Sequence, residues 1–134
     1  MLFASIPKIS ITRLGLRYVN ALRSDVHEIN SIEMLNFTIT SGGVALTNNL
    51  NINYTVPAFA DSSCTVRIAT RDLAQGSIPE NTVAIADIDV FTNDPFRTTE
   101  IGRVKDWKET AHTAEKQNFF KLLKPDTIKK LRVD

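Results

Sequence analysis

At 134 residues, 43% hydrophobic and 23% charged, the chain holds enough material for one domain with a core and too little for two independent ones. A formal charge of +1 creates no overall field toward nucleic acid or an anionic membrane, and a single cysteine excludes an intramolecular disulfide and any paired-cysteine metal or redox motif. No apolar run approaches a membrane span, and "MLFASIPK" lacks the basic start and sustained apolar stretch of a signal peptide. A cytoplasmic protein with no membrane partner is the expectation.

The elements follow in chain order. Ile9 to Val19 reads as a strand rich in Ile, Leu, Val and Tyr, ended by "NALRSD". Side chains alternate along a strand, so Leu14, Leu16 and Tyr18 share one face, and Ile11, Arg13, Gly15, Arg17 and Val19 share the other. Gly15 sits between the arginines and leaves room for a backbone, a bulky neighbour or a ligand to approach. "SDVHEINSIEM" reads as a turn or short helix; "MLNFTIT" reads as a strand turning at "SGG" into "VALT". In "LNINYTV", Leu50, Ile52 and Tyr54 alternate with asparagines, the mark of a half-buried antiparallel strand.

In "CTVRIATR", Cys64, Val66 and Ile68 oppose Thr65, Arg67 and Ala69, which makes Cys64 a small buried hydrophobe. "TVAIADIDVF" then places Val83, Ile85, Asp87, Asp89 and Phe91 on one side, and Ala84, Ala86, Ile88 and Val90 on the other. After "TNDPF" the period becomes helical: Ile101, Val104, Trp107, Ala111 and Ala114 form a stripe, with Thr98 or Thr99 as N-cap and Glu100 in the first turn. Pro125 breaks this helix and starts a short one, "DTIKKLR". The expected architecture is one α+β domain over 1–134, strand-rich over 1–95 and helical over 98–134. It has two layers: a mostly antiparallel sheet of about five strands covered by a long C-terminal amphipathic helix.

Charge carries the functional clue. If the Arg13/Arg17 strand and the Asp87/Asp89 strand are neighbours facing the same way, the four side chains come within cross-strand reach. Three readings are open: an internal network that fixes register, solvent-facing charges without a role, and a ligand or metal site. Two alternating carboxylates offer too few oxygens for Mg²⁺ or Ca²⁺, and zinc would need more than Cys64 and two scattered histidines. No phosphate-binding glycine pattern occurs, so no cofactor is expected. A Cys64–His112 pair would require the helix to cross the right strand, and no residue is evident to orient the histidine. His112 reads instead as a boundary residue of the sheet–helix interface. Tyr18, Trp107, Phe119 and Phe120 read as core or interface anchors.

Residues 1–100 hold seven Lys/Arg against ten Asp/Glu, whereas 101–134 hold nine against five. This basic C-terminal quarter is the only surface that would suit nucleic acid, and such binding is not expected.

Three motifs together resemble a sporadically distributed family of uncharacterised prokaryotic proteins with an R-x-G-L-R-Y-[IV]-N signature. They are "ITRLGLRYVNAL", "IADIDVF" with its D-I-D, and "AHTAEKQNFFKLL", where a histidine is followed at helical spacing by phenylalanine. The resemblance points to Arg13, Gly15, Leu16, Arg17, Tyr18, Asn20, Asp87, Asp89, His112 and Phe119 or Phe120. It implies no activity. Members of that family are usually longer, with a segment before the signature, and its absence here would expose a sheet edge to a homodimer or protein partner. The functional expectation is therefore a non-catalytic interaction module; an enzyme or an anion or metal site on the Arg/Asp face is the alternative.

Overall fold

The computed structural model describes Ile11 and residues 13–131. Its centre is a four-stranded antiparallel sheet in the order β1-β6-β5-β4: β1 is Gly15–Arg23, β4 Asn51–Phe59, β5 Ser62–Thr70 and β6 Thr82–Thr92. A separate small hairpin joins β2, Thr40–Ser41, to β3, Val44–Ala45. Two helices follow, α1 over Ile101–Lys121 and α2 over Pro125–Leu131. The α+β layer pair read from the sequence is the fold observed.

The period-two pattern decides which face is buried. On β6, Ala84, Ala86, Ile88 and Val90 are buried while Val83, Ile85, Asp87, Asp89 and Phe91 are only half-buried; on β5, Cys64, Val66 and Ile68 are buried alongside them. Register aligns the inward residues in rows such as Tyr18–Ile88–Val66–Tyr54. Against this face lies α1, which buries Trp107, Ala111, Ala114 and Glu115. The core closes with Leu22, Ile29, Ile32, Leu35, Leu122 and Leu123, each removing side-chain area worth about 1.5–3 kcal/mol from water.

Four expectations need correction. The first strand begins at Gly15 and runs on to Arg23; residues 9, 10 and 12 lie outside those described. "MLNFTIT" is not a strand over its length. Residues 32–34 form a 3-10 turn, Leu35 is extended, the chain bends at Asn36, and burial alternates along the segment, with Leu35 buried, Phe37 and Ile39 half-buried and Asn36 and Thr38 exposed. Its backbone is used elsewhere: Leu35 bridges Leu123, and Asn36 N–H donates to Leu122 O, satisfying a carbonyl at the end of α1. Glu100, not a threonine, is the N-cap of α1, although Thr98 Oγ1 accepts the Glu100 N–H at 3.0 Å. Finally, Ile101 is 82% exposed, because the first fully buried position of the helix is Trp107.

Candidate functional site

The face of the sheet turned away from α1 collects the charged residues, and among the described residues no helix covers it. In register, one row across β1, β6, β5 and β4 reads Arg17–Asp89–Thr65–Thr55 and the next reads Val19–Asp87–Arg67–Asn53. Alternation put these side chains on one face, and the pairing of the first strand with β6 made them neighbours. Arg17 grips Asp87 diagonally rather than Asp89 directly opposite. Its Nε donates to Oδ1 at 2.8 Å and its Nη2 to Oδ2, a two-point fork. Asp87 raises the Arg17 pKa, first by hydrogen bonding and then by charge. The Arg17 side chain is nevertheless 61% exposed against 15% for Asp87, so water screens the pair and it adds little to stability.

The other sequence candidates separate. Arg13 lies outside β1 and stacks over the Phe91 ring, 5.5 Å from its centroid, and joins no ion pair among the described residues. Asp89 stays on the face beside Arg17, to which it contributes a raising charge. At Gly15 a Cβ would meet Val90 O at 3.9 Å and Asp89 Oδ1 at 4.0 Å, ordinary contacts, so no close backbone approach demands a glycine there.

Tyr18, Trp107, His112, Phe119 and Phe120 belong to the opposite, helix-covered side. Tyr18 and His112 rings lie 5.6 Å apart, Trp107 Nε1 donates to the buried Ser62 Oγ at 3.0 Å beside Phe59, and Phe119 packs on Phe120. Cys64 is fully buried, and burial pushes its thiol up to about 11, so it is an inert hydrophobe at neutral pH. His112 meets β1 while Cys64 sits on β5, with β6 between those strands, so the two do not pair. His27 Nδ1 accepts the Arg23 N–H at 3.0 Å, and burial, then Arg23, lowers its pKa.

One participant escaped the sequence reading. Arg67 lies opposite Asp87 in register, yet among the described residues it makes no ion pair; its Nε donates to Asn51 Oδ1 at 3.1 Å. Its signal was present in "CTVRIATR", where it shares the face of Thr65, but only the strand order shows that this face is also that of Arg17 and Asp87. Together they line a recess of about 140 Å³, walled by Leu73, Ala74 and Gln75 from the turn after β5. The arrangement offers two guanidiniums and one carboxylate over an aliphatic floor, which suits holding a polar group.

Among the described residues no cluster of His, Cys, Asp and Glu could hold a metal ion, and no helix is long and apolar enough to cross a membrane. No family model, no curated protein and no solved structure matches the chain.

Proposed function

We propose that the chain is a non-catalytic interaction module that self-associates through the free edge of β1. The observation that carries this reading is the contrast between the two edges of the sheet. β4 contains Pro57 and a register irregularity between Pro57 and Phe59, both of which spoil a continuous row of pairing groups. β1 has no proline, and among the described residues no backbone hydrogen bond reaches its outer side from Gly15 to Leu22. Val19 is 56% exposed there, next to the exposed Tyr18.

Antiparallel pairing of two β1 strands about Val19 gives an isologous interface. Arg17 then faces Ala21 and Gly15 faces Arg23, so no arginine opposes its own copy. Tyr18 faces Asn20, whose buried Nδ2 has no hydrogen-bond partner among the described residues. Most of the R-x-G-L-R-Y-[IV]-N stretch is this strand, which makes the reading compatible with the proposed family likeness.

Sedimentation velocity from low to high micromolar concentration tests the proposal. The expected result is a reversible dimer, lost in Val19→Lys, which sets two like charges across the axis, and weakened in Tyr18→Lys. A strictly monomeric wild type overturns it. Tight, salt-sensitive binding to duplex or single-stranded nucleic acid would instead move the working surface to the basic C-terminal quarter.

A further inference from the structure

The recess on the uncovered face holds an imbalance that the fold does not require. Arg17 and Asp87 neutralise each other through their fork, whereas Arg67, in the next strand but one from Arg17, has no carboxylate within ion-pair distance among the described residues. Asp87, its opposite number in register, is already committed to Arg17, and Asp89 does not line the recess. The lining therefore carries one positive charge in excess.

The donors are also set in place. Asn51 takes the Arg67 Nε and fixes the plane of its guanidinium, leaving both Nη groups to donate elsewhere. Arg17 keeps Nη1 after forking onto Asp87. Beside these donors the surface is aliphatic, formed by Ala69 and Ile85 of the sheet and Leu73 of the turn. A guanidinium fork matches two coplanar oxygens, and the apolar floor suits a short hydrocarbon body. Phosphate fits less well, since the lining includes no helix N-terminus of the kind that gathers several backbone donors.

We propose that this recess binds a small aliphatic carboxylate, its carboxyl group held by Arg67 with Arg17 and its carbon chain lying on Ala69, Ile85 and Leu73. Arg17 and Val19 of the proposed edge also line the recess, so carboxylate binding is titrated both in wild type and in Tyr18→Lys, a substitution on the other face that weakens self-association and leaves the lining unchanged.

The experiment is a two-dimensional NMR titration of that variant and of wild type with sodium 4-methylpentanoate, with 4-methylpentanamide and inorganic phosphate as comparison probes. The expected result is saturable shifts confined to residues 17–19, 67–76 and 85–87, no saturation with the neutral amide, and weaker binding of phosphate. Arg67→Gln should weaken the carboxylate at least about tenfold, the loss of a charge-assisted fork. Arg67→Lys keeps the charge and the stem on the sheet, so its weaker but measurable binding separates loss of the fork from loss of the fold. Diffuse, non-saturating shifts, phosphate binding as tightly as the carboxylate, or unchanged affinity in both Arg67 variants would overturn the proposal.

Discussion

The two faces of one sheet are built from the same strands, and they answer to different constraints. Under α1, β6 presents Ala84, Ala86, Ile88 and Val90, all without measurable exposure; one residue along in each case, it presents Val83, Ile85, Asp87 and Asp89 to a face that, among the described residues, no helix covers. Every buried position under the helix must fill space, because a close-packed interior leaves a void wherever volume is removed. The open face is free of that demand. It can carry charges whose pairing costs little desolvation, and which are available to a ligand for the same reason.

Truncations test this contrast most severely. Trp107→Ala should cost about 3–5 kcal/mol, since it removes a large buried ring and strands the Ser62 hydroxyl it bonds. Ile88→Ala should fall in a similar range, about 2–5 kcal/mol, while Ile85→Ala on the open face should cost roughly 1 kcal/mol. Urea denaturation of the three variants gives the ordering directly; equal losses at Ile88 and Ile85 would mean that the open face is covered after all. Replacing Arg17 should alter stability less than any of them.

A smaller effect sharpens the comparison from the other side. Glu115 is the charged exception under the helix, 5% exposed, and burial raises its pKa against the lowering influence of His112 and Lys116. The folded state thus holds the proton more tightly than the unfolded chain does, and the favourable contribution of the protonated form is lost as pH rises through the raised range. Glu115→Gln removes that loss. Its melting temperature should exceed that of wild type at neutral pH, and the two should converge below the ordinary carboxylate range. A variant less stable than wild type at neutral pH would show that the carboxylate is compensated in the fold.

How much of this could be read from residues alone depends on whether the signal was local. The alternation in "TVAIADIDVF" assigned both faces of β6, and the stripe from Trp107 to Ala114 assigned the buried side of α1, because each pattern repeats within a single element. The "MLNFTIT" segment shows the limit of the same rule. Its alternation of burial is real, but alternation alone does not report a strand partner, and the backbone partners of Leu35 and Asn36, Leu123 and Leu122, lie at the far end of the chain. Ile101 fitted the helical period yet falls before the helix meets the core. The grouping of Arg17 with Asp87 followed once the two strands were assumed to be neighbours. Arg67 needed the full order β1-β6-β5, whereas Arg13 keeps to the same face but lies beyond β1, over Phe91, where the pairing turns irregular: Leu14 O accepts the Thr92 N–H at 3.0 Å while Leu14 N–H goes to the Thr92 hydroxyl at 3.2 Å.

That strand order also dictates a timetable. β4, β5 and β6 are successive in the chain and joined as neighbours, so their pairing closes short loops, whereas β1 reaches β6 across a separation such as the 70 residues between Arg17 and Asp87. Loop-closure entropy and the penalty on distant contacts place the short closures first and the long one last. During synthesis β1 is made before any strand it can join, and it waits unpaired until β6 is complete. Protection of its amides in pulsed hydrogen exchange should accordingly lag behind that of β5.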